Sequence, residues 1–238
     1  MLASLRRAPQ FVFADHSLLI VFGREISREL QLKVAQLCTL IKKENPDVVR
    51  NLHPAYSSVL VTYDPRRNSA ANMEKAVDEW LRKLSFTELP PARHVDIPVC
   101  YGSDFGPDLG DVAALTGLAC DDVVRIHSSA EYFVYFLGFS PGFPYLGELP
   151  HPLAVPRLAT PRTRVPAGSV AIGGAQTGIY PLDSPGGWRI IGRTHLRLFQ
   201  PLKALPTLLQ MGDLVRFRPI AGDEFVRPTE VSECRAWE

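Results

Sequence analysis

The sequence predicts an α+β N-terminal domain followed by a mainly β domain, a barrel or a sandwich. Strand-like and helix-like hydrophobic periods alternate along the first third of the chain, whereas short apolar runs between turns fill the last part. Of the 17 glycines only Gly23 lies within residues 1–93, while 15 of the 21 prolines lie beyond that boundary. Gly and Pro punctuate turns, so their one-sided distribution divides the chain into two kinds of structure.

Leu18 to Phe22 is a short apolar run that reads as a strand. Ser27 then suits a helix N-cap, and Leu30, Val34, Leu37 and Ile41 recur on one helical face. Asp47 to Leu52 and Ser58 to Tyr63 read as strands separated by HPAYS. DPRRN turns the chain into a second helix, Ser69 to Leu84, with Met73, Ala76, Val77, Trp80 and Leu84 inward. The order is β-α-β-β-α, and His94 to Cys100 as a last strand would complete a ferredoxin-like βαββαβ layer. In SFTELPPAR, residues 85–93, Pro90 and Pro91 remove two backbone donors, so the first domain is expected over 1–89 and the second over 90–238.

Past this linker, DLGDVAAL starts a short helix near Asp108 that Gly117 ends, and another opens at Asp121. Together they form a small helical insert near 108–129. EYFVYFLGF is apolar at odd and even positions, as in a strand buried on both faces. SVAIGG, GWRIIG, HLRLF and DLVRFRP are further short β runs.

With a net charge of +1 and 21% charged residues, the chain has no global basic field for nucleic acid or a membrane surface. Asp15 and His16 break the apolar start, so neither a signal peptide nor a spanning helix is expected, and the cytoplasm is the expected compartment. Cys38, Cys100, Cys120 and Cys234 form no CxxC pair, and the six histidines show no HxxxH or HExxH spacing, so no bound metal is expected. Charge is uneven locally. Residues 94–148 hold eight acidic groups and one basic, Arg125; residues 149–212 hold seven basic groups and only Asp183, which gives balances of −7 and +6. Arginines beside Gly-rich turns suit a carboxylate or phosphate, and the opposed stretches suggest a surface that pairs with a complementary partner.

Two motif matches fail on physical grounds. Gly138-Phe139-Ser140-Pro141-Gly142 satisfies G-x-S-x-G, but that elbow needs a backbone N–H after the serine and Pro141 has none. Gly173 to Gly178 is glycine-rich yet lacks the lysine of a P-loop and does not clearly open a helix.

The runs YGSDFGPDL (101–109), HSSAEYFVYFLGFSPGFPYLGELP (127–150) and TPRTRVPAGSVAIGGAQTGIYPLDSPGGWRIIGRT (160–194) resemble the carboxyltransferase-domain, subunit-1 family. That family includes the B subunit of bacterial ATP-dependent 5-oxoprolinase, a histidine-kinase inhibitor of sporulating bacilli, the protein labelled allophanate hydrolase subunit 1, and a segment of urea carboxylase. The resemblance implies a small α+β domain and a cyclophilin-like β-barrel. It also implies a component of an ATP-hydrolysing enzyme that opens 5-oxoproline to L-glutamate. Its partners would be the A and C subunits of 5-oxoprolinase, the latter a sister barrel protein, with ATP and magnesium shared among them. The alternatives are a binding protein that inhibits a sensor histidine kinase and a component of urea or allophanate metabolism. A prolyl isomerase would rest on fold analogy alone.

Carried over by motif position, His127 is the candidate acid/base. Arg164, Gln176, Thr177, Tyr180, Gly186, Gly187, Trp188 and Arg193 are the candidates for holding substrate or an anion, with Arg164 and Arg193 as clamps. Phe139, Phe143, Pro144 and Tyr145 are expected to shape the barrel mouth or a partner interface.

Overall fold

The computed structural model describes residues 9–44 and 47–225. The chain divides into two compact units, Met1–Pro91 and Ala92–Glu238.

In the first unit β1 (Gln10–Ala14) and β2 (Ser17–Val21) form a hairpin in which Ala14 pairs with Ser17. Asp15 and His16, which interrupt the apolar start of the sequence, are its two-residue turn. Next comes α1 (Arg28–Glu44), where Ser27 Oγ accepts from Leu30 N at 3.2 Å, as its place before the apolar period predicts. β3 (Val49–Pro54), β4 (Ser58–Tyr63) and α2 (Ala70–Lys83) follow; Ser69 caps α2 by accepting from Asn72 N at 3.3 Å. The sheet order is β1-β2-β4-β3, antiparallel throughout. Leu18 and Ile20 of β2 and Val59, Val61 and Tyr63 of β4 are buried in strict alternation, and the buried faces of α1 and α2, including Val34, Ile41, Met73 and Trp80, complete the core. Asp64 organises the turn into α2. Side-chain hydrogen bonds from Arg66 and Arg50, and the Arg66 backbone N–H, hold its carboxyl well below the usual range.

This topology corrects the ferredoxin-like βαββαβ expectation. β1 takes the fourth place in the sheet, and His94 to Cys100 leaves it for the second unit. The physical reason is that the segment's inward residues, Val95, Ile97 and Val99, belong to a different core.

The second unit runs β5 (His94–Tyr101), α3 (Leu109–Thr116), α4 (Cys120–Ser129), β6 (Glu131–Leu137), β7 (Pro144–Gly147), β8 (Arg162–Val165), β9 (Ser169–Gly173), β10 (Gln176–Ile179), β11 (Ser184–Gly186), β12 (Arg189–Arg193) and β13 (Leu214–Pro219). Seven strands close a barrel in the order β10-β7-β6-β13-β5-β12-β9, while β8 and β11 pair as a separate ribbon. β5 and β13 are parallel, and every other neighbouring pair in the barrel is antiparallel. Val134, Leu146, Val170, Ile172, Ile179, Ile191, Val215 and Phe217 fill the interior. The closed barrel is consistent with the cyclophilin-like domain that the sequence implies. Gly117 ends α3 in the left-handed region at φ 71°, where a residue lacking Cβ is unstrained. HLRLF is not a strand: Phe199 makes only an isolated bridge to Thr207.

The acidic helical insert and the basic strands neutralise one another inside this unit. Arg162 Nη2 lies 2.6 Å from Asp108 Oδ1, and Arg189 Nη1 lies 3.3 Å from Asp111 Oδ2. Two charge pairs between these opposed stretches are therefore internal, and those four residues are not free for a partner surface. Asp108 does more than pair. Its Oδ2 accepts from Ile190 N at 2.7 Å, and its own N–H donates to Ile190 O at 2.9 Å.

Cys38 and Cys100 are buried free thiols and Cys120 is exposed; Cys234 lies outside the described residues. Burial raises the Cys38 thiol to about 11, and Cys100 shifts the same way for the same reason. Among the described residues no helix is long and apolar enough to cross a membrane.

Replacing Asp108 with Ala removes the acceptor for Ile190 N and leaves the Arg162 guanidinium without its partner. The expected loss is about 3–5 kcal/mol, read as a lower urea midpoint with an unchanged m-value.

Candidate functional site

His127 is carried on α4 into the barrel interior, where it is fully buried. Its Nδ1 lies 2.7 Å from Tyr101 Oη and its Nε2 lies 2.9 Å from Thr177 Oγ1, and the ring stacks on Phe217 at 4.6 Å between centroids. Thr177 Oγ1 donates its own proton to Ala171 O at 3.0 Å, so it accepts from His127 Nε2–H. Nδ1 therefore accepts from the Tyr101 hydroxyl. The result is a one-way chain of donors, Tyr101 to His127 to Thr177 to Ala171, with both ring nitrogens satisfied. Tyr132 Oη also donates to the His127 carbonyl at 2.8 Å. Burial pushes the imidazole down to about 3 and the Tyr101 phenol up. This corrects the acid/base role for His127 and the substrate-binding role for Thr177. Both are internal and occupied by each other, as the even alternation of β10 dictates once Ile179 faces inward.

The opposite face of the same strands builds something else. Ala171, Tyr180 and Ile190 turn outward and pack with Phe143, Val165 and Trp188 in a second cluster, with Tyr145 against it. Phe143 meets Tyr180 edge-to-face at 5.3 Å and Trp188 at 5.7 Å, and Tyr145 meets Trp188 at 6.3 Å. The Gly-rich segment serves this packing. A Cβ on Gly173 would lie 2.7 Å from the Trp188 ring, and one on Gly178 would lie 2.9 Å from Phe143 and 3.1 Å from Trp188. β9 and β10 join as a hairpin there, with Gly173 opposite Gln176, so these glycines form the bed of an indole and lead into a strand. Gln176 shares the Gly178 and Tyr180 face of β10.

The other predicted residues fall into place around this cluster. Gly186 faces the Tyr180 hydroxyl so closely that a Cβ would collide with it, and Gly187 O accepts from Leu158 N at 2.7 Å. The Trp188 backbone N–H faces the Tyr180 hydroxyl and favours its ionised form. Phe139 is 65% exposed with a left-handed φ of 67° and reaches Phe143 and Tyr180 edge-to-face. Phe143 and Pro144 are buried and Tyr145 is half-buried, so of these four residues Phe139 alone is exposed.

Arg164 and Arg193 are not open clamps. Arg164 Nη2 lies 2.6 Å from Asp183 Oδ2, and Arg193 Nε donates to Ala167 O at 2.9 Å. Asp183 also accepts from Ala167 N at 2.8 Å, and that bond followed by Arg164 lowers its carboxyl pKa. Sequence reasoning missed the arginines that flank the aromatic cluster. Arg157 lies over the Trp188 ring at 5.5 Å from its centroid, and Arg162 Nη1 is buried without a hydrogen-bond partner. Burial raises the Tyr180 phenol, while the Trp188 N–H and then the charges of Arg157 and Arg162 oppose that rise. Ser140 Oγ and Ser184 Oγ are likewise buried without partners. Among the described residues no group of three or more His, Cys, Asp or Glu side chains is placed to hold a metal ion.

A separate cavity of about 280 Å³ is lined by His94, Asp96, Glu131 and Arg216 on β5, β6 and β13. His94 Nδ1 lies 3.2 Å and Arg216 Nη2 3.8 Å from Glu131 Oε2, and the cavity holds none of the predicted residues.

Two outcomes follow from this geometry. Since His127 shifts from an ordinary 6.5 to about 3, the unfolded chain binds a proton between those values that the folded chain excludes. Its contribution to stability is whole above 6.5 and is lost as pH falls towards 3, by up to about 1.4 kcal/mol per pH unit. His127→Gln should flatten the urea-midpoint profile between about pH 5 and 6.5; an unchanged slope would contradict the neutral buried imidazole. Gly178→Ala should lower stability by about 1–3 kcal/mol through overpacking against Phe143 and Trp188, measured by the same unfolding assay.

Residues 11–209 match the model of the carboxyltransferase domain, subdomains C and D. The B subunit of 5-oxoprolinase from Bacillus subtilis is 40% identical, covering 89% of this chain and 92% of its own; that of Escherichia coli O157:H7 is 42% identical over 90% and 97%. The urea amidolyase of Lachancea kluyveri is 27% identical, and the match covers 14% of it. Among solved structures, TTHA0988 superposes with a TM-score of 0.77 at 39% identity over 90% of this chain, which spans about two fifths, 41%, of that one. The uncharacterized protein PH0987 from Pyrococcus horikoshii is 47% identical with a TM-score of 0.55, covering 90% of this chain and 98% of its own. The Kluyveromyces lactis urea carboxylase, at 20% identity and a TM-score of 0.72, shares the fold. By match to more than half of its length and by near-complete alignment with these B subunits, the chain belongs to the carboxyltransferase-domain family.

Proposed function

We propose that the chain is the B subunit of an ATP-dependent 5-oxoprolinase, a hetero-oligomer in which it works with the A and C subunits to open 5-oxoproline to L-glutamate. The observation that carries this reading is the 40% identity over nearly the full length of the 5-oxoprolinase B subunit of Bacillus subtilis. The urea amidolyase match supports a shared domain within a much longer chain and does not favour a shared reaction.

The reaction adds water across an unstrained amide. Water bonds to the lactam carbonyl carbon, the ring C–N bond breaks, and the nitrogen takes a proton to become the amine of glutamate. Such an amide is a poor electrophile, and ATP hydrolysis supplies the driving force to the assembly. The Gly-rich segment does not fit a nucleotide cradle. Gly173–Gly178 lies at a β-hairpin and packs beneath Trp188, so its backbone does not wrap a phosphate at a helix start. ATP and magnesium are therefore assigned to the assembly, and no step is derived through them on this chain. What this chain offers is an apolar, aromatic wall edged by arginine, suited to hold a small ring with a carboxylate.

The test is reconstitution. The chain and the A and C subunits, mixed with 5-oxoproline and ATP, should form glutamate and ADP in equal amounts, and omission of this chain should abolish both. Glutamate formation that persists without it, or an inactive full mixture beside an active control enzyme, would overturn the assignment.

A further inference from the structure

Two arginines beside the aromatic cluster, Arg157 and Arg162, are available for a ligand. Arg157 is exposed, and its guanidinium lies over the Trp188 ring with no carboxylate at ion-pair distance among the described residues. Arg162 is held by Asp108 through Nη2, which fixes the guanidinium plane, while Nη1 is shielded from solvent and has no acceptor. Both charges act on one phenol, since Arg157 and Arg162 each oppose the burial-driven rise of Tyr180. Arg162 pairs with Gly186 across the β8–β11 ribbon, and Gly186 is the residue against which the Tyr180 hydroxyl packs. The Trp188 backbone N–H faces that hydroxyl and favours its ionised form, and no acceptor for the phenol proton is present among the described residues.

The geometry points to a carboxylate-binding site formed by Arg157, Arg162 and Tyr180 on the outer wall of the barrel, whose ligand class is a small ring bearing one carboxylate. A pre-oriented guanidinium N–H, a second guanidinium and a phenol O–H match the acceptor oxygens of one carboxylate. The aromatic edges of Phe139 and Tyr145 beside Trp188 supply a wall for the ring. A polyphosphate would need a nest of free backbone N–H groups, and the nearby glycines are committed to packing Trp188. Asp108 acts here as a positioning residue, since it orients Arg162 without facing the ligand.

The identity of the ring rests on the 5-oxoprolinase assignment, in which it is the five-membered lactam of 5-oxoproline. The full chain is titrated by calorimetry with L-5-oxoproline, with 2-pyrrolidinone, which is the same lactam without the carboxylate, and with inorganic phosphate. L-5-oxoproline should bind and 2-pyrrolidinone should not. Arg157→Gln, an exposed change that leaves Asp108 paired, should weaken binding by about tenfold to a hundredfold, and Arg162→Lys by a similar factor. Arg125→Gln, on the exposed face of α4, should leave it unchanged. In the assembled enzyme Arg157→Gln should raise KM by a similar factor with kcat retained, a split that a general structural defect would not produce. Equal binding of the two lactams, displacement by phosphate, or no effect of Arg157→Gln on either binding or KM would overturn the site. An assembly inactive on 5-oxoproline, with carboxylate binding by the chain intact and dependent on Arg157, would refute the enzyme assignment and uphold the site.

Discussion

The barrel unit depends on one buried carboxylate. Asp108 stands at the start of α3, exchanges two hydrogen bonds with Ile190 of β12, and holds the Arg162 guanidinium of β8. A charge this far from water is tolerated only when every lone pair is engaged, and here a backbone N–H and a guanidinium serve its two oxygens. Three elements far apart in sequence are thereby placed together. The insert is fixed to the barrel wall, and the arginine that borders the aromatic cluster is given one orientation.

The two faces of β9 and β10 have separate chemistries for a related reason. Alternation sends Thr177 inward to His127 and leaves Gly178 and Tyr180 outward along the same stretch of chain. Inside, a fully satisfied polar chain replaces apolar packing around a histidine that burial holds neutral. Outside, missing side chains at Gly173 and Gly178 let an indole lie against the sheet. A histidine that looks catalytic in sequence and a threonine that looks substrate-binding are thus core groups, whereas glycines that resemble a phosphate loop shape an aromatic wall.

Much of the first unit was legible because its signals are local. The Ser27 cap, the helical stripes and the period-two burial of Ser58–Tyr63 each follow from residues within a turn or two of one another. β1 was not, since an edge strand with exposed Phe11, Val12 and Phe13 carries no inward-outward pattern. His94–Tyr101 was recognisable as a strand but not as a barrel strand, because a period of two says which face is buried and not which sheet buries it.

The site divides along the same line. By itself, the sequence determined the family, the turn-rich character of the second unit and the membership of Tyr180, Gly186 and Trp188 in one constellation, since long motif runs preserve residue identity and order. Only the tertiary structure decided which arginines remain available. Arg164 meets Asp183, and Arg193 is held by a carbonyl, while Arg157 lies over Trp188 and Arg162 keeps one N–H free. Ion pairing acts over a few ångströms in space, across 78 residues of chain in the Asp111–Arg189 pair and 120 in the Arg93–Asp213 pair. A count of charges along the sequence therefore locates a cationic region, and the fold alone assigns its partners.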